Sequence, residues 1–229
     1  MTAALAGFFT ALDALHDVER GLARGEFMAD AAAQSKAVHT RLAELLQAQK
    51  KQAEQAPTEA EREILAAGVY TSAAVLDEAL AIRCDWPGRA EWPGQLLEQR
   101  LFQSRLAGQH FFDAAERVLR SDRQHAGWRS LAAVHLLALR AGFEGQHRGS
   151  HQGRTAIAAL QARLHDFSCG TQPADPQLCP QAHQHTQVLM PPVRLSRRRP
   201  WRVGLGLLAA WLLISGPWWQ ALVQDLAVH

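Results

Sequence analysis

The stretch AAGVYTSAAVLDEALAI, residues 66–82, carries two charges in seventeen residues, and those two, Asp77 and Glu78, are adjacent. A solvated helix scatters charges of both signs over its polar face, whereas this one is small and apolar nearly all round, as a central packed helix must be. At 100° per residue, Leu65, Val69, Ala73, Leu76 and Leu80 fall in one stripe, and Ile64, Val75, Ala79 and Ile82 widen the apolar arc to about half the circumference. Asp77 falls at one border of that arc, on the side of Tyr70, and Glu78 falls near the other. An unpaired buried carboxylate is costly. The pair therefore predicts one acid bonded to backbone donors or to an arginine across a bundle, and the other facing a groove.

Working outward, residues 1–166 read as helices with short connections and no alternating strand pattern, which predicts an all-α domain. Helix one is expected over residues 3–24, with Leu5, Phe8, Phe9, Leu12 and Leu15 on one face, and helix two over 30–55. Pro57 stops the second, and Thr58 with Glu61 forms a capping-box signature for the third, which continues to about residue 84. Two Trp-Pro-Gly copies, at Trp86 and Trp92, then break the helix into a loop whose indoles can pin it to the bundle. A helix resumes near Gln95, carries Phe102, is punctuated by Gly108, and restarts through Phe111 and Phe112. Further helices are expected over residues 128–143 and 155–166.

Residues 167–200 dissolve into Pro, Gln and His and read as a linker. Residues 203–223, VGLGLLAAWLLISGPWWQALV, are free of charge; as a helix they would span about 31 Å, the thickness of a hydrocarbon core. A membrane anchor is therefore expected over 201–224, with Trp201, Trp218 and Trp219 at its edges and a short tail at 225–229. Arg197, Arg198, Arg199 and Arg202 precede the span and no Lys or Arg follows it, which predicts a cytoplasmic N-terminal domain and an outer C-terminus. The same arginines would attract anionic lipid, and Gly206 with Ala210 gives a small-xxx-small pair for homodimerisation.

Among 229 residues the net charge of +2 and the lack of a basic stripe with interleaved aromatics give no reason to expect nucleic acid. No G-x-S-x-G nucleophile motif is present, and an acid pair alone does not make an active site, so no enzyme is expected. Cys84, Cys169 and Cys179 are expected as free thiols in a reducing cytoplasm. Cys169, Cys179, His183 and His185 lie within seventeen residues, but the spacing C-x9-C-x3-H-x-H suits a tetrahedral zinc site poorly; no metal or cofactor is expected, and a zinc-dependent regulatory protein is the weaker alternative.

Four fragments in order, LDEALA (76–81), DWPGRAEW (85–92), LLEQRLFQSRLAGQHFF (96–112) and AGFEGQHR (141–148), followed by a lone C-terminal anchor, resemble the DotU/IcmH family, the TssL-type inner-membrane proteins of type VI secretion. The resemblance implies a hook-like cytoplasmic domain of two small helical bundles plus one transmembrane helix, acting as a scaffold rather than an enzyme. It implies homodimers in contact with an IcmF-like protein (TssM), indirectly with an outer-membrane lipoprotein (TssJ), and with baseplate subunits. It also places a partner-binding groove at Asp77, Glu78, Glu144 and Gln146, and structural anchors at Trp86, Trp92, Phe102, Phe111, Phe112, Gly142, Phe143 and Gly145. The family's Gly-Phe-x-Gly-x-Tyr segment ends here in His147. Longer members carry a peptidoglycan-binding domain after the anchor; the sequence stops at His229, so wall anchoring is expected to fall to another protein. The related type IVB secretion system shares the domain and stays open at this point.

Overall fold

The computed structural model describes residues 2–25 and 30–170. The expected anchor, its flanking arginines, Cys179, His183, His185 and most of the linker lie outside the described residues.

Among the described residues there is no strand, and seven α-helices run in the order α1 (Ala3–Ala23), α2 (Ala31–Glu54), α3 (Glu59–Glu78), α4 (Leu97–Phe102), α5 (Ala107–Leu119), α6 (Ala126–Arg140) and α7 (His151–Cys169). Local chemistry fixes several starts. Asp30 accepts from Ala33 N at 2.8 Å, and Ser150 accepts from Gly153 N at 3.1 Å. Thr58 and Glu61 form the expected reciprocal capping box. The last helix is longer than expected at both ends: the Ser150 cap starts it at His151, and Phe167 continues the buried series Leu160, Leu164 and so takes the first linker residues into α7.

Two hydrophobic cores share α1 and α3. The first joins Ala4 and Phe8 of α1 and Ile64 and Val75 of α3 to α5, α6, α7 and Phe143. The second joins Ala11, Leu15 and Val18 of α1 and Val69, Ala73, Leu76 and Leu80 of α3 to α2, Trp86, Trp92 and α4. Each fully buried Leu, Val or Phe contributes about 1.5–3 kcal/mol. Because α3 serves both cores, all ten residues from Thr71 to Leu80 are buried. The segment Glu59–Arg83 is long and apolar enough to cross a membrane by length and composition, and 72% of its most apolar window is buried inside the bundle, as a core helix requires. Phe9 is 39% exposed, outside the face to which its spacing assigned it.

The sequence suggested that the third helix stays regular to its end, yet residues 79–83 form a π-turn closed by Cys84 N donating to Ala79 O at 2.8 Å. The wider turn takes Ile82 out of phase with the apolar arc and leaves it 40% exposed. Loop side chains meet the freed carbonyls: the Trp86 indole donates to Leu80 O at 2.9 Å, and Arg89 donates to Ala81 O at 3.1 Å. The break expected at Gly108 falls instead at Gln103, which takes the left-handed conformation (φ 54°) at the end of α4. Gly108 sits in the first turn of α5 for a different reason. Its backbone lies against Gly145, where φ is 48° and an added Cβ would stand 2.9 Å from Gly108 O.

Candidate functional site

Adjacent residues on a helix point about 100° apart, so Asp77 and Glu78 at the last turn of α3 address different bundles. Asp77 faces the second core. Its Oδ1 accepts from the Trp92 indole N–H at 3.0 Å and from Leu97 N at 2.9 Å, and its Oδ2 accepts from Glu98 N at 2.9 Å. The residue preceding α4 is Leu96, whose side chain cannot cap the helix. The first amides of α4 would be orphaned without an acceptor from elsewhere, and Asp77 is that acceptor. Burial pushes its carboxyl up to about 7, against the opposing pull of the three donors.

Glu78 faces the first core and holds another loop. It accepts from Glu144 N and Gly145 N, both at 2.8 Å, and pairs with Arg148 at 2.6 Å. The turn it holds follows α6, where Gly142 (φ 94°) reverses the chain, and sends Phe143 into the core against Phe111, 4.4 Å between ring centroids. His147 stands edge-on to Phe112 at 4.5 Å, so the imidazole occupies the aromatic position.

The expectation that one acid lines an open groove therefore gives way to a different arrangement. Asp77 is 6% and Glu78 9% exposed, each has three partners within the described residues, and neither lines the described clefts. The physical reason is that α3 is buried on both sides, which leaves no solvent face at this turn. Glu144 and Gln146 do reach the surface, on the turn that Glu78 holds. Of the other expected anchors, Trp92, Phe111 and Phe143 are at most 2% exposed, Trp86 and Phe112 are buried, and Phe102 is half-buried against Tyr70 with Lys50 over its ring at 5.2 Å.

A third buried acid escaped the sequence reading. Glu98, 2% exposed, uses Oε1 to accept from the Tyr70 hydroxyl at 2.6 Å and from Leu106 N at 3.0 Å, at the start of α5. Burial and this carboxylate together push the Tyr70 hydroxyl upward. Leu106, like Leu96, is an apolar residue at a helix start; two uncapped starts in a row were the available signal for distant acceptors. The acids thus form a relay, with Asp77 holding the start of α4 and Glu98 of α4 holding the start of α5.

Among the described residues no group of three or more His, Cys, Asp or Glu has the arrangement to hold a metal ion. Cys84 and Cys169 are free thiols. Burial pushes Cys84 up to about 12, with Glu19 accepting its hydrogen at 3.2 Å.

The chain matches the family model described as type VI secretion system protein DotU over residues 10–218. Among solved structures, TssL from Vibrio cholerae is similar with a TM-score of 0.54 and 20% identity, covering 71% of this chain and 95% of that one. The cytoplasmic domain of TssL from Acinetobacter baumannii gives a TM-score of 0.50 and 20% identity, covering 69% of this chain and 98% of that one. At such identity the two structures bear on the all-helical fold alone. No individually curated protein matches the chain.

Proposed function

The chain belongs to the type VI secretion DotU family, and we propose that within it the protein is a scaffold of the secretion membrane complex rather than an enzyme. In this reading the helical unit is cytoplasmic and residues 201–224 anchor it in the inner membrane. It contacts an IcmF-like partner of the TssM type and, indirectly, a TssJ-type lipoprotein, recruits baseplate subunits, and forms homodimers. The observation that carries the proposal is the extent of the family match, which runs from within the first helix to residue 218, inside the uncharged C-terminal stretch.

The acid pair acts from inside. Asp77 and Glu78 hold the loops that begin at Trp86 and Glu144, and the surface offered to a partner there includes Glu144 and Gln146. Affinity isolation of the full-length protein from its native membranes in mild detergent, followed by mass spectrometry, tests the scaffold reading. Recovery of an IcmF-like protein with baseplate subunits is expected. Recovery of the chain alone, under conditions that keep other membrane complexes intact, would overturn it.

A further inference from the structure

Glu63, Ala66, Ala67 and Tyr70 recur at helical spacing on α3, as do His110, Ala114 and Arg117 on α5. These two faces wall an open groove of about 420 Å³, which Phe102 and Trp128 also line. From Glu63 to Tyr70 is two turns, so this wall is about 10 Å long. Tyr70 meets His110 at one end, and Glu63 and Arg117 stand toward the other.

Three features of the groove bear on what it can hold. Its alanines leave room for a bulky side chain, and the Tyr70, Phe102 and Trp128 rings give that room aromatic walls. Its polar end is oriented: the Tyr70 hydroxyl donates to buried Glu98, so it accepts from His110 Nδ1–H at 3.1 Å. The side chains of Glu63 and Arg117 make no hydrogen bond or ion pair among the described residues, although those of Arg62, Glu116 and Arg163 nearby in the chain or fold are all paired. A free anion or an anionic lipid would satisfy Arg117 but be repelled by Glu63. A helix with an apolar anchor and one charge of each sign complements all of these groups together.

We infer that this groove binds an amphipathic helical segment of a partner protein, with one bulky apolar side chain between Tyr70, Phe102 and Trp128, a basic residue against Glu63 and an acidic residue against Arg117. The inference rests on the scaffold reading and places a second contact surface away from the turn at Glu144 and Gln146.

The test uses the full chain in its native membranes with Ala66→p-benzoylphenylalanine as a photoreactive probe, and the same probe at Gln146 in a parallel strain. The expected product at position 66 joins the chain to a helical segment of the stated charge pattern, mapped by mass spectrometry. Glu63→Lys should lower its yield about tenfold, and reversing the partner's basic residue should restore it. Ala67→Trp, which fills the groove, should abolish the product while affinity isolation still recovers the complex if other contacts hold it. Products with lipid only, with a second copy of this chain, or with a segment indifferent to Glu63→Lys overturn the inference. So does silence at position 66 when position 146 reacts, and in that case the scaffold reading survives. Silence at both positions, with affinity isolation returning the chain alone, removes both.

Discussion

Replacing Asp77 with Ala removes one acceptor from three buried donors at once: the Trp92 indole at 3.0 Å and the Leu97 and Glu98 amides at 2.9 Å each. A buried donor left without a partner costs about 1–3 kcal/mol. Entry of water to one of the three would soften the total, so the expected loss for Asp77→Ala is about 3–6 kcal/mol, a large share of the 5–15 kcal/mol that stabilises a typical domain. Asp77→Asn separates capping from charge. The amide oxygen can still serve Trp92 and Leu97, but the NH₂ group meets the Glu98 N–H donor to donor, and a loss of about 1–3 kcal/mol is expected. Urea unfolding of a fragment ending at Gly170, at pH 7 and followed by tryptophan fluorescence, measures both, and hydrogen exchange at Leu97 and Glu98 localises the damage. The order should be wild type, then Asn, then Ala, with those two amides exchanging first. If Asp77→Ala stays within about 1 kcal/mol of wild type, or Asp77→Asn exceeds it, the carboxylate is a burial cost rather than a cap and the reasoning fails.

Glu78→Ala strands Glu144 N and Gly145 N and leaves Arg148, 33% exposed, without its closest carboxylate; water reaches the arginine, so about 2–4 kcal/mol is expected, with exchange rising at residues 144 and 145 rather than at 97 and 98. Gly145→Ala combines a left-handed φ of 48° with a Cβ at 2.9 Å from Gly108 O, for a loss of about 2–4 kcal/mol in the same unfolding assay. His135 is fully buried, its Nδ1–H donates to Leu131 O at 2.9 Å, and burial pulls it down to about 4. Between pH 4 and 6.5 the unfolded chain then binds the extra proton, so this group's contribution of about 3 kcal/mol is complete above pH 6.5 and lost as pH falls through 4. Asp77, raised to about 7, acts with the opposite sign: the proton-linked part of its contribution is complete below pH 4 and lost as pH rises to 7, separately from the capping bonds. Urea midpoints should therefore vary little for wild type across this window, and His135→Leu should unmask a stability that declines as pH rises from 4 to 7; a decline on acidification in that variant would refute the assignment.

The helices were legible because their signals are local. The apolar period of α3, the Thr58–Glu61 box and the Pro57 stop need only a few neighbouring residues to be read. The two departures in α3 and α4 were not local. A π-turn at Ala79–Arg83 persists because Trp86 and Arg89, beyond the helix, reach back to its carbonyls. Gly108 was read as a break, yet it answers a backbone contact with Gly145, 37 residues on in the sequence, which demands a glycine without breaking the helix; the break itself falls at Gln103. The acid pair was legible as an anomaly and as a choice between internal bonding and a groove, but periodicity could not show that α3 is enclosed by two cores. Glu98 looked like an ordinary first-turn acid of a helix until its burial and its bonds to Tyr70 and Leu106 were seen.

Sharing α3 between two cores has a mechanical consequence. A carboxylate can fix a loop only if its own backbone is rigid, and residues 71–80 are the most enclosed stretch of the described chain. From that one rigid turn, Asp77 sets where α4 begins, Glu98 in turn sets where α5 begins, and Glu78 sets the turn that leads into α7. The groove between α3 and α5 is bounded by the same relay, since Tyr70 on one wall is bonded to Glu98 and reaches His110 on the other. A change at Asp77 should therefore reach the groove through Glu98 without touching a lining residue, whereas a change at Glu78 should leave it intact. Crosslinking yield from position 66 in Asp77→Asn and Glu78→Gln membranes distinguishes the two, and equal losses in both would mean that general destabilisation, not the relay, links the acids to the surface.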